Sequence, residues 1–287
     1  MDDRIDTLAG LVSAGGVVVL SGAGMSTDSG IPDYRGPSGT LHRRAPMTYR
    51  EFVSDAAARR RYWARSQVGW RHMARAAPNA AHRAVAALER HGWLHGTITQ
   101  NVDGLHQRAG SRDVIELHGS LATVVCLDCG ARGSRRDLAR RLRAANPDTD
   151  QHFSRIAPDG DADLSEDLVA HFTVVPCRRC RGGIVKPEVV FFGESVPRDR
   201  VAACFARVDV ARTLLVLGSS LRVMSGYRFV IRARELGIAV AIVNRGATRG
   251  DADACVKIDA GLSDVLPALA DRLGAGRPGD DRRATAG

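Results

Sequence analysis

Short apolar runs alternate along this chain with longer stretches in which apolar residues recur every three or four positions. Val17-Val18-Val19-Leu20 is an unbroken apolar run of strand length. Thr213 to Leu217 and Ile238 to Val243 repeat the feature, and Gly96 to Thr99 and Val185 to Phe191 are β-rich. Between these runs, Asp3 to Ala14, Asn79 to His91, Ser225 to Leu236 and Leu262 to Leu273 carry a helical period. Strands apolar on both faces belong inside a sheet, and their alternation with amphipathic helices predicts an α/β fold, a mostly parallel sheet with helices on both faces. Ligands on such sheets bind beyond the carboxyl ends of the strands.

The alternation breaks between about Gly119 and Gly183, a polar segment that holds two C-x-x-C pairs. The predicted organisation is a discontinuous nucleotide-binding domain over 1–118 and 184–273, an inserted small module over 119–183, and a disordered tail over 274–287, where Gly, Arg and Asp predominate. A chain of 287 residues is long enough for both cores.

Polar residues cluster where predicted strands end. After Leu20 comes SGAGMSTDSGIPDYRG, in which Gly22, Ala23 and Gly24 turn the backbone and aim N–H groups at an anion. The spacing is not G-x-G-x-x-G, so the loop alone also fits a plain strand-to-helix turn. Gly218, Ser219 and Ser220 follow a second strand, and Asn244, Arg245 and Gly246 a third. Three such ends on one sheet edge make a nucleotide cleft. Gln100, Asn101, Val102 and Asp103 close a fourth strand, and Glu116-Leu117-His118 places an imidazole at the junction of cleft and module.

The cysteines add a metal. Cys126 and Cys129 form one pair and Cys177 and Cys180 the other, with 47 residues between the pairs. Four thiolates complete the closed tetrahedral shell of a structural Zn2+, leaving no open position for water activation. Cys204 and Cys255 read as buried apolar residues.

Charge changes the picture little. The formal net charge is +9, from 41 basic and 32 acidic residues, and the arginines are scattered. No aromatics interleave with Arg178, Arg179 and Arg181, which argues against direct nucleic-acid binding. The acidic start MDDRIDTLAG lacks the character of a signal or transit peptide, and no apolar run reaches the ~20 residues that span a bilayer. The expectation is a cytoplasmic protein with no membrane partner.

Taken in order, SGAGMSTDSGIPDYRG, TQNVDGLH, ELHG, the C-x-x-C pairs, KPEVVFFGESVP, LGSS and VNRG resemble the sirtuins, and RYWARSQVGW with CLDCG is most similar to their class II branch. The resemblance runs from about Thr7 to Leu273. It implies a Rossmann-like domain, NAD as cofactor, acylated-lysine proteins or peptides as partners, and transfer of the acyl group to ADP-ribose with loss of nicotinamide. By the same resemblance, the loop at Ala23 cradles the pyrophosphate, and Asp33, Tyr34 and Arg35 cover the nicotinamide ribose. Gln100, Asn101 and Asp103 line the nicotinamide pocket, and Asn101 joins His118 in catalysis. Ser219 and Asn244 meet the adenosine, with the backbone near Cys255 beside the adenine. Val190, Phe191, Phe192, Gly193 and Glu194 offer an edge to which substrate adds as a strand. A neutral His118 takes a proton from a ribose hydroxyl.

The acyl group stays open among acetyl, acidic and lipoyl-type chains. Tyr62 and Arg65 have the Y-x-x-R spacing that binds acyl carboxylates in some sirtuins, and they equally fit a helix face with Tyr62 packed and Arg65 solvated. ADP-ribosyl transfer on the same fold, and a non-catalytic NAD or nucleic-acid binder, are the competing classes.

Overall fold

The computed structural model describes residues 2–33, 46–147, 164 and 166–275. The predicted alternation is realised as α1 (Asp2–Ser13), β1 (Val17–Ser21), α2 (Tyr49–Ser54), α3 (Ala56–Arg75), α4 (Ala80–Arg90), β2 (Leu94–Thr99), α5 (Leu105–Ala109) and β3 (Val114–Glu116). The middle of the chain supplies β4 (Gly119–Cys126), β5 (Arg132–Ser134), α6 (Arg135–Ala145), α7 (Glu166–His171) and β6 (Val185–Val189). The alternation then resumes with α8 (Arg198–Asp209), β7 (Thr213–Leu217), α9 (Met224–Glu235), β8 (Ala239–Val243), β9 (Val256–Ile258) and α10 (Leu262–Arg272).

Six strands form one sheet in the order β3-β2-β1-β7-β8-β9, and every pairing in it is parallel. Strand pleating sends alternate residues to opposite faces. Val17, Val19, Leu215, Leu217, Ala241 and Val243 pack with α1, α4 and α10 on one face. Val18, Leu20, Leu214, Val216, Val240 and Ile242 pack with α8 and α9 on the other. This is why these strands read as unbroken apolar runs.

The strand predicted over Val185 to Phe191 ends at Val189 and does not enter the large sheet. It pairs antiparallel with β4, from Cys126↔Val185 to Gly119↔Val189, in a three-stranded sheet ordered β5-β4-β6. The small sheet therefore extends beyond the Gly183 boundary. It also shares a core with α2 and α3, through Phe52, Tyr62, Trp63 and Met73. Arg135, fully buried, joins α6 to α3: its guanidinium lies 5.3 Å from the Trp63 ring centre and 5.0 Å from that of Trp70, and it donates to the Ser66 carbonyl at 2.9 Å. Trp63 Nε1 donates to the Val185 carbonyl at 3.2 Å.

At the C-terminus, Ala275 is buried against the α10 side of the core, so the segment expected to be a tail from 274 starts inside the fold; residues 276–287 lie outside the described residues. Among the described residues no helix is long and apolar enough to cross a membrane.

Candidate active site and metal centre

Parallel pairing delivers all six carboxyl ends to one edge. The chain leaves β1 towards β2 and β3 and later fills the other side with β7, β8 and β9, so the β1/β7 boundary is the switch point where a crevice opens. Two glycine loops cross there. Gly22 N–H donates to the Leu217 carbonyl and Gly24 N–H to that of Gly218, both at 2.9 Å. A Cβ on Gly24 would lie 2.9 Å from the Gly218 Cα, and one on Gly218 would lie 2.6 Å from the Met25 nitrogen. The glycines are thus required by the close approach of loop to loop, a reason the anion reading did not contain. The N–H groups of Met25 and Ser26 are also spent locally, on the carbonyls of Gly22 and Ala23.

The end of β2 completes a polar wall. Gln100 Nε2 donates to Ser219 Oγ at 2.8 Å, and Asn101 Nδ2 donates to Ser26 Oγ at 3.1 Å. Ser26 in turn donates to an Asp103 carboxylate oxygen at 2.7 Å, and the Leu105 N–H donates to the other at 2.9 Å. Burial raises the Asp103 carboxyl above its ordinary value, against the opposing pull of those two hydrogen bonds. Ser26 was not singled out from the sequence. Nothing in the sequence separates it from Ser21, Thr27 and Ser29, the other hydroxyls of the same stretch.

Beyond β3, His118 donates from Nδ1 to the Gln100 carbonyl at 2.9 Å, a tautomer fixed because a carbonyl only accepts. Burial holds its pKa below the ordinary 6.5; the Gln100 hydrogen bond works against that, and Arg200 and Arg228 add to it. Burial therefore favours the neutral imidazole, whose lone pair is on Nε2.

On the β8 side, Asn244 Nδ2 donates to the carbonyls of Arg245 and Gly246, at 2.8 and 3.1 Å, and so shapes its own loop. Lys257 and Asp259 brace the same loop through Gly246, at 2.9 Å from its carbonyl and its nitrogen respectively. Cys255 stands apart and corrects an expectation. It precedes β9 and its N–H pairs with Val240, near the amino end of β8, about 10 Å along the strand from the polar edge. Residues after Ile258, beginning with Asp259, occupy the edge instead. Cys255 is also exposed rather than buried, whereas Cys204 is buried as expected. Asp33 ends a described stretch; Tyr34 and Arg35 lie outside the described residues.

The segment after β6 passes directly under His118, since the Val190 N–H donates to the His118 carbonyl at 2.8 Å. Glu194 turns inward: it accepts the Phe191 N–H at 2.8 Å and pairs with Lys186 Nζ at 3.0 Å. The Phe192 carbonyl is taken by the Tyr49 N–H, and the Phe192 ring is left 39% exposed. Tyr62 is packed, 5.2 Å from the Phe191 ring, but Arg65 is only 6% exposed and is not the solvated residue a plain amphipathic face requires.

The four predicted ligand sulfurs converge, all within 4.8 Å of one another, with Cys126–Cys180 at 3.7 Å and Cys129–Cys177 at 3.8 Å. A tetrahedron with Zn–S bonds of about 2.3 Å has sulfurs about 3.8 Å apart, so the cage fits zinc. Without a metal charge the four thiols are pulled apart in acidity: backbone N–H groups of Cys180 and Arg179 draw Cys177 down to about 6, while burial pushes Cys126 up to about 11, so binding a cation must release a proton from Cys126. A Cβ on Gly183 would lie 2.3 Å from the Cys126 sulfur, so the cage wall excludes any larger residue. For NAD, the fit rests on the donor set at the switch point, where hydroxyls, two amides and a neutral imidazole suit sugar hydroxyls and a carboxamide.

Comparison with known proteins agrees with this geometry. The Sir2 family model matches residues 22–225. An "NAD-dependent protein deacetylase 1" of Streptomyces coelicolor is 59% identical over 273 residues, covering 95% of this chain and 91% of that protein. A protein of the same name from Mycobacterium avium is 56% identical over 262 residues, covering 90% and 91%. Among solved structures, Sir2 with a p53 peptide and NAD+ superposes with a TM-score of 0.76 at 30% identity, covering 93% of this chain and 98% of that one. A Sir2 bound to a propionylated peptide gives 0.75 at 29%, covering 94% and 99%. With its parallel sheet, its polar switch point and its four-cysteine cage, the chain belongs to the Sir2 family.

Proposed function

We propose that this protein is an NAD-dependent protein-lysine deacylase that moves an acyl group from lysine to ADP-ribose and releases nicotinamide. The observation that carries the reading is an imidazole fixed as the Nδ1–H tautomer by the Gln100 carbonyl, at the polar edge of a parallel sheet. When bound, NAD supplies an electrophilic ribose carbon with nicotinamide as leaving group. Gln100, Asn101 and Asp103 hold the carboxamide end, with Ser26 fixing the last two relative to each other. His118 accepts a ribose hydroxyl proton at Nε2, and burial favours the uncharged ring that can do so. Ser219 and the Asn244–Gly246 loop face the adenosine half. The acyl-lysine peptide lies along Val190 to Glu194, whose shape the Lys186–Glu194 pair maintains. The zinc cage holds the small sheet and takes no part in proton transfer, since four protein ligands leave no open site.

The test is product mass spectrometry after incubation with NAD and peptides carrying acetyl, succinyl, glutaryl or lipoyl lysine. O-acyl-ADP-ribose from one of them is expected, and it names the preferred acyl chain. Nicotinamide released without loss of any acyl group points to ADP-ribosyl transfer instead. His118→Ala is expected to lower turnover by at least ~100-fold with little change in NAD affinity; undiminished deacylation in that variant removes His118 from the mechanism.

A further inference from the structure

The basic nitrogen of His118 has a partner. Nε2 lies 2.8 Å from the Ser225 hydroxyl, and since Nδ1 carries the ring proton, the Ser225 O–H donates to Nε2. Ser225 stands in the first turn of α9, next to Gly226. A Cβ at Gly226 would lie 2.6 Å from Gln100 Oε1, so the start of α9 is pressed against the strand end that His118 also bonds. The charges that act on the imidazole are Arg200 of α8 and Arg228 of α9, both cations that oppose its protonation. Gln100, on the β2 side, is uncharged.

We propose that Ser225 is a positioning residue for His118, one that orients the imidazole and reverses its hydrogen bond when Nε2 takes up a proton. A hydroxyl serves both states: it donates to the neutral ring and accepts from Nε2–H of the imidazolium. In the step, the Ser225 O–H first rotates off the single Nε2 lone pair, the ribose O–H bond then breaks as an Nε2–H bond forms, and the Ser225 oxygen is left to accept from the protonated ring. Ser225 makes and breaks no covalent bond, because its O–H only rotates. A charge-assisted hydrogen bond is stronger than a neutral one, so the hydroxyl favours the protonated ring and offsets Arg200 and Arg228. The inference rests on the assignment of His118 as the base.

The experiment compares Ser225→Ala, Ser225→Thr and His118→Ala in the full chain. The His118 ring is titrated by NMR without NAD, and kcat and KM are measured against pH with an acylated peptide. Ser225→Ala is expected to lower the His118 midpoint by about half a pH unit or more. It is also expected to lower kcat about tenfold, with KM for NAD within about twofold, because the ring loses its orientation. Ser225→Thr, which keeps the hydroxyl, is expected to restore the midpoint and most of kcat. An unchanged midpoint and pH profile in Ser225→Ala, in a variant that melts like the parent, overturns the positioning role. Full turnover in His118→Ala overturns the base assignment instead, so the two failures are separable.

Discussion

His82 and His106 meet edge to face beneath the glycine loop, with ring centres 5.1 Å apart. His106 Nε2 lies 2.8 Å from Ser21 Oγ, and Asn79, which caps α4 with His82, donates to the Met25 carbonyl at 2.8 Å. Burial pushes His106 down to about 4, and burial together with the neighbouring His106 and Arg83 pushes His82 down to about 3. Both are neutral when folded and charge on unfolding, so the unfolded chain binds more protons below the ordinary 6.5, and stability falls with pH from there until the folded values are reached. Chemical denaturation at pH 6.5 and pH 5 is expected to differ by on the order of 2 kcal/mol per histidine, and His82→Gln is expected to flatten that slope. Catalysis depends on pH in the same direction through a different group. Because burial lowers His118, the acid limb of kcat/KM is expected to have its midpoint below 6.5 in a pH–rate series. Neither buried histidine was distinguishable from the others in the sequence, because nothing in a chain position states how much water a ring will lose.

The glycine loops and the zinc turns make predictions at the level of elements. Gly218 has a φ of +60°, and its missing Cβ leaves room for the Met25 nitrogen. Gly218→Ala is expected to cost about 1–3 kcal/mol through strain and overlap and to weaken NAD binding by shifting the loop that carries Ser219. Thermal melting and an NAD titration on the same variant check both. In the small sheet, Cys177→Ser is expected to lose about one equivalent of zinc per chain, measurable by metal analysis. The central strands β1, β2, β7 and β8 and the helices α1, α4, α9 and α10 were legible because their apolar period is local. β6 was legible as a strand but not as a partner of β4: a short β-rich segment such as VKPEV does not state its direction, and only the register with Gly119 to Cys126 settles which sheet receives it.

Over the whole molecule, the two cores on either face of the large sheet are separate from the third, which spans β4, β6, α2, α3 and α6. Zinc removal is therefore expected to loosen α2, α3 and the segment around Phe191 along with the cysteine turns, and to leave β1, β7 and β8 protected. Hydrogen exchange by mass spectrometry, with and without chelator, reads this directly; equal loosening of both sheets would refute the division. The division has a functional meaning. Phe191 belongs to the zinc-held core while the backbone beside it bonds to His118, so the proposed peptide edge is braced by one lobe and delivered to the cleft of the other.

The amino-acid sequence by itself determined the α/β class, the strand ends that carry the cleft, the four cysteines and the family, because each is written in local period or in the spacing of a few residues. Tertiary structure alone decided that Cys255 sits at the wrong end of its strand, that Arg65 is buried, that Glu194 braces its own loop, and that Ser26 and Ser225 hold the groups beside them. These depend on strand direction, register and desolvation, which arise only when distant segments pack.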